Sequence, residues 1–392
     1  LKKITRNSAI TGAAFLMATS AIGPGFLTQT TVFTEQLLAS FGFIILISVL
    51  LDIIVQLNIW RILAMAGKPA QDIANDRVRG LGYVLAILIV LGGLAFNIGN
   101  IGGCGLGLTV LTGIPAGYGA VISCLIALAI FWVKEFGAAL DRFTKVLGLI
   151  MVLLTLYVAI SSQPPVTDAI IHSFVPEKIN AKAIVTLVGG TVGGYICFAG
   201  GHRLLDAGLT GPQSLREVNR SAVMGICVTA LMRVILFLAV LGVVTSGGIL
   251  DKVNPAAAVF KLAAGNIGYR FFGVVMWCAA ITSVVGAAYT SVSFLRSFHP
   301  VIRNNERWII SAFIILSTGI YTVLGNPVNI LVTVGALNGL ILPISMSVML
   351  ITAAQPATMH GYQHPRWLLW LGWLVVIVMG YMSVLTIKSW AF

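Results

Sequence analysis

Three helix breakers in a row, Gly23-Pro24-Gly25, interrupt the middle of an apolar segment that runs from about Ser8 to Leu38. The segment is long enough to cross a bilayer, for which about 20 apolar residues suffice. Within a helix, glycine costs about 1 kcal/mol and proline about 3. In hydrocarbon, the backbone groups freed by such a break need partners or a cavity to line. A membrane chain accepts that cost mainly where something binds. A second interrupted span follows about 170 residues later, at Gly189-Gly190-Thr191-Val192-Gly193-Gly194-Tyr195 and on through Gly200-Gly201. Two broken helices at matching places in two halves point to a secondary transporter.

Composition sets the class. Of 392 residues, 58% are hydrophobic and only 9% charged, and the mean hydropathy is +1.00. Repeated apolar runs of this length mean an all-α polytopic membrane protein. Eleven spans are read, at roughly 8–38, 41–66, 81–109, 116–133, 144–161, 182–209, 221–246, 268–295, 307–325, 328–354 and 367–387. With the N-terminus in the cytoplasm, 17 Lys and Arg fall on the cytoplasmic side and 6 on the other. The positive-inside rule then places the chain in the cell membrane with a cytoplasmic N-terminus and an extracytoplasmic C-terminus. The net charge of +12 is therefore topological, and nucleic-acid binding is not implied.

The hydrophilic stretches between spans are too short for a soluble domain, so residues 1–392 read as a single transmembrane unit. Asn254-Pro255 and Pro164-Pro165 mark loop turns. Residues 8–161 and 182–354 form two five-helix repeats, each opening with a broken helix, and 367–387 adds one more helix. An odd number of spans per repeat inverts the second relative to the first. Cys104, Cys124, Cys197, Cys227 and Cys278 lie in apolar spans without a C-x-x-C pair, as small buried hydrophobes do. His172, His299, His360 and His364 fall in loops. With no nucleophile or metal-ligand spacing at membrane depth, neither an enzyme nor a cofactor is expected.

The candidate cargo residues cluster at the breaks. If helix resumes near Phe26, Thr28 and Thr31 share a face with Glu35, and free N–H groups carry partial positive charge into the cavity. Thr28 and Gln29 are candidate contacts, against the alternative that the hydroxyls bond back to carbonyls one turn earlier. At the second break Gly193, Gly194, Tyr195 and Cys197 bring backbone close to cargo, although small residues also serve plain helix packing. His202, Arg203 and Asp206 form either a gate or a local Arg–Asp pair beside a surface histidine. Glu35, Asp52 and Arg233 are ionisable groups inside apolar spans, costly unless paired or hydrated. Glu35 is near enough to an interface to be solvated, and Asp52 and Arg233 are potential partners.

Across nearly its whole length the chain resembles the Nramp family of divalent-metal transporters. The matching residues are Thr11-Gly12-Ala13-Ala14-Phe15 leading to Ile22-x-Pro24-Gly25, Phe41-Gly42, Gly67-Lys68 and Gly189-x-Thr191-Val192. The resemblance implies the LeuT-type inverted 5+5 repeat with helices 1 and 6 broken. It also implies cargo between those helices and, usually, proton-coupled import of manganese or iron. The departures fall on the functional positions. The family's D-P-G-N reads Gly23-Pro24-Gly25-Phe26 and its M-P-H reads Gly193-Gly194-Tyr195, so the Asp, Asn and Met ligands are gone. An acidic proton-path pair aligns with Asn97 and Asn100, whose amides do not titrate near neutral pH. A dehydrated transition metal needs an anionic oxygen. Half-helix dipoles beside an aromatic surface suit a small polar or zwitterionic solute instead. A largely hydrated Mg²⁺ or Mn²⁺ and a non-transporting relative remain the alternative readings.

Overall fold

The structure, a computed structural model, describes residues 22–296, 298–354, 359 and 361–391, with side chains described outside 134–145 and 391. Among these residues every regular element is helical. In chain order, α1 (Pro24–Leu37), α2 (Phe41–Ala66) and the short α3 (Ala70–Arg77) precede α4 (Leu81–Thr112), α5 (Ala116–Trp132) and α6 (Lys134–Ser161). A short α7 (Val166–Phe174) leads into α8 (Ala181–Val192) and α9 (Ile196–Asp206). The chain continues through α10 (Leu215–Thr245), α11 (Pro255–Ser293), the one-turn α12 (Pro300–Asn304), α13 (Glu306–Leu324), α14 (Pro327–Ala353) and α15 (Arg366–Ala391).

Helical counterparts exist for the expected spans from residue 24 onward. The part of the first span at 8–21, with the Thr11–Phe15 signature, lies outside the described residues. By length and apolarity, eight stretches among the described residues are long enough to cross a membrane, with Pro24–Ala66 counted as one. A ninth arises if Val146–Ser161 and Val166–Phe174, bent by 103°, count as one span. Ala116–Trp132, with 17 residues, is shorter. The loops are more structured than expected, since α3, α7 and the first turns of α11 occupy three of them. Asn254-Pro255 is a helix start rather than a loop turn: the Asn254 side chain accepts from Ala257 N, and Pro255 takes the first helical position. Proline fits there because the N–H it lacks would have had no intrahelical partner.

Two long helices organise the interior. α4 packs along α11, α14, α5 and α13, while α10 packs against α2, α6 and α1. The α8–α9 stretch is the deepest, with 89% of its most apolar window buried among α14, α2 and α15. Large apolar side chains such as Leu125, Leu149, Ile377 and Trp370 point outward. In water that would be an aggregation liability; in a bilayer it is the lipid-facing surface. Cys227 joins this outer face, correcting the expectation that all five cysteines are buried.

Candidate functional site: two breaks and a charged pair between them

The first break is built by Gly23 and Pro24. Helix begins at Pro24, two residues earlier than the sequence implies, with Gly23 as its cap. The first ladder bond runs from Leu27 N to Gly23 O at 3.2 Å. The amide N–H groups of Gly25 and Phe26 therefore stand outside the ladder, at the positive end of α1. Pro24 is wedged against α4, where a Cβ on Gly103 would lie 2.2 Å from Pro24 Cγ. Among the described residues Gly23 has space beside it: a Cβ there would find its nearest neighbour, Asn100 Oδ1, at 3.9 Å.

The second break is Gly193-Gly194-Tyr195, between α8 and α9. Here the glycines are filled from outside. A Cβ on Gly193 would lie 2.2 Å from the Gly189 carbonyl oxygen and 2.7 Å from Asn338 Cβ. A Cβ on Gly194 would lie 2.3 Å from Ile341 Cγ2. Gly194 N donates to Asn338 O at 3.1 Å, and Asn338 Nδ2 donates to Gly92 O and Val334 O. Close packing against α14 thus accounts for these two glycines. Tyr195 is buried, its ring 6.1 Å from that of Phe96 and its hydroxyl donating to Ala287 O at 3.3 Å. The Cys197 thiol is buried, and its carbonyl accepts from Trp60 Nε1 at 2.9 Å.

Threonines at the first break divide into two sets. Thr31 and Thr34 bond back to Leu27 O and Thr30 O. The Thr28 and Thr30 hydroxyls are buried and have no partner among the described residues. Gln29 fits a slot between α8 and α14, in contact range of Gly190 and Gly335. Its Nε2 donates to Leu331 O at 2.8 Å, while its Oε1 is buried without a partner. A cavity of about 490 Å³ lies between α1, the start of α8 and the start of α14. Its polar lining is Gln36, Asn180, Lys182, Asn329 and Thr333.

The centre holds two charges that sequence reading flagged but left out of the site. Asp52 and Arg233 are only 1% and 2% exposed. Arg233 places its guanidinium 4.5 Å from the centroid of the Phe26 ring, in the first turn after the break. Asp52 sits beside Thr191 and Cys197 at the second break. The two lie within electrostatic range of each other, yet Asp52 Oδ1 and Arg233 Nε and Nη2 have no hydrogen-bond partner among the described residues. Glu35 is exposed, as its place near the end of α1 implies.

The remaining candidates are scattered. Asn97 Nδ2 donates to Ser317 Oγ at 3.1 Å, so it faces α13, whereas Asn100 faces Gly23. His202 is not a surface histidine: its ring stacks on Phe294 at 4.2 Å. Asp206 is exposed, and no ion pair or hydrogen bond joins it to Arg203. Asn338 was missed altogether; an amide in the middle of the apolar run 328–354 was the available signal. Among the described residues, no three His, Cys, Asp or Glu converge to hold a metal ion.

Comparison with known proteins fits a helix broken at 193–195 packed beside one that starts at Pro24. The profile described as "Natural resistance-associated macrophage protein-like" matches residues 14–389. The chain belongs to the Nramp family. It is 60% identical over 386 residues to the uncharacterized membrane protein YcsG of Bacillus subtilis, covering 98% of this chain and 96% of that one. It is 58% identical to an uncharacterized membrane protein of Haemophilus influenzae, covering 98% and 97%. Among solved structures, a manganese transporter of Eremococcus coleocola superposes with a TM-score of 0.73 at 18% identity, covering 99% of this chain and 88% of that one. MhsT, solved with L-phenylalanine, gives 0.65 at 16% identity, covering 95% and 98%. At those identities the likeness is one of fold, and the fold of this multi-pass Nramp protein is LeuT-type.

Proposed function

We propose that this Nramp-family transporter carries a small polar or zwitterionic organic solute rather than a transition metal, without the proton route usual in its family. The observation that carries the reading is the charge at the first break. Arg233, buried against Phe26, is a permanent cation where a cationic cargo would sit. A divalent ion about 7 Å from a guanidinium is repelled by roughly 5 kcal/mol at an effective dielectric of about 20. Asp52 offsets this only to a local sum of zero, whereas a dehydrated divalent ion needs net negative charge around it. Neither break supplies a carboxylate or thioether of its own, since the residues there are Gly23-Pro24-Gly25-Phe26 and Gly193-Gly194-Tyr195. The fold accommodates organic cargo elsewhere, as the L-phenylalanine complex of MhsT attests. In this reading the two five-helix repeats are inverted, the N-terminus is cytoplasmic, and cargo crosses chemically unchanged.

The space beside Gly23, faced by the neutral oxygen of Asn100, favours one alternative, a divalent ion that keeps most of its water. Uptake of Mn²⁺ and Mg²⁺ into proteoliposomes, beside an active manganese-transporting Nramp control, separates the two. The expected result is no uptake above empty liposomes. Uptake of either ion would replace the organic-solute reading with the hydrated-cation one.

A further inference from the structure

The unpartnered atoms of Arg233 are a specific pair. Nε and Nη2 form the side-on edge of a guanidinium, two parallel N–H donors spaced to meet both oxygens of a carboxylate. In Arg233 that edge is buried and has no partner among the described residues. The guanidinium lies over Phe26, in the turn whose free N–H groups form the positive end of α1. A second observation concerns the cavity between α1, α8 and α14. There the charged lining residue is Lys182, with no acidic side chain in the lining. A cationic entrance raises the local concentration of anions and speeds their arrival.

From these two observations we infer that the cargo carries a carboxylate, which enters past Lys182 and binds side-on to Nε and Nη2 of Arg233. Phe26 holds the guanidinium plane, and Asp52 is the nearby countercharge that keeps the empty site neutral. The inference rests on the organic-solute reading above and narrows it to a chemical class. Asp52 would also set the preference between a plain carboxylate and one bearing an ammonium group.

The test uses the purified full-length chain and thermal stabilisation as the binding readout. The probes are the L-amino acids and L-lactate, each beside its primary amide, with MnCl₂ and MgCl₂ as separate arms. One or more acids should stabilise the protein while the matching amides do not. For such an acid, Arg233→Gln should weaken binding about 10- to 100-fold, the range of one lost charge-assisted contact, and Arg233→Lys should retain part of it. Lys182→Gln should slow uptake of the same acid at low salt, and the deficit should shrink at high salt. If Arg233→Gln does not yield monodisperse protein, the acid-against-amide comparison and Lys182→Gln carry the test. Stabilisation by amides as well as acids, or by none of the acids, overturns the carboxylate but leaves a neutral organic cargo standing. So does unchanged affinity in a folded Arg233→Gln variant. Stabilisation by Mn²⁺ or Mg²⁺ alone overturns both readings together.

Discussion

The two breaks look alike in sequence and are opposite in structure. At Gly23 the Cβ direction is open among the described residues, with its nearest neighbour there at 3.9 Å. At Gly193 and Gly194 it is filled by Gly189, Asn338 and Ile341 at under 3 Å. One glycine leaves room for something that arrives; the other two let helices touch. The first break also gathers the unpartnered polar atoms of Thr28, Thr30, Gln29 and Arg233, while the second spends its amide on Asn338. A helix interruption in a membrane thus has two uses, and only the space beside it tells them apart.

The sharpest way to break this comparison is to add a methyl group on each side. Gly193→Ala and Gly194→Ala should each destabilise by about 1–3 kcal/mol or more through overpacking. The readout is the yield and thermal midpoint of solubilised protein on size exclusion. Next in size is Gln29→Ala, which strips Leu331 O of its donor and empties the slot at Gly190 and Gly335. It should cost about 1–3 kcal/mol and lower uptake. Thr28→Ala removes a hydroxyl without a protein partner, so uptake should fall while thermal stability stays level. Unaltered uptake in either variant would remove that residue from the cargo path.

Smaller effects are expected at the open break. Gly23→Ala should leave the thermal midpoint nearly unchanged, since its φ of −114° suits any residue and a Cβ has room. A loss as large as that of Gly194→Ala would erase the distinction between the breaks. Gly23→Asp, if it folds, should confer weak Mn²⁺ binding measurable by calorimetry, because it returns a carboxylate to the break. No gain would place Gly23 away from the cargo. The smallest effect concerns protons: with Asn97 and Asn100 as amides, an imposed pH gradient should leave uptake of the transported solute unchanged. Strong pH driving would redirect attention to Asp52.

Much of this site was legible because broken helices are written in consecutive residues. Gly23-Pro24-Gly25 and Gly193-Gly194-Tyr195 mark both sites: among the described residues a helix starts at Pro24, and one stops at Val192 with the next starting at Ile196. Arg233 and Asp52 were legible as anomalies, since charge inside an apolar span is costly without a reason. Their placement at opposite breaks was not, because α2 and α10 meet only in the folded bundle. His202 misled for the same reason: its neighbour Phe294 is remote in sequence. Asn338 carried too weak a signal, one amide whose partners Gly92 and Gly194 lie on other helices.

Local backbone chemistry determined the membrane class, the helix limits and the positions of the breaks, because hydropathy, glycine and proline act on the residues that carry them. Tertiary structure decided which glycines are filled, which threonines are left over, and that a buried guanidinium stands beside the first break. Those properties belong to the space between helices, and no single segment of the chain encloses it.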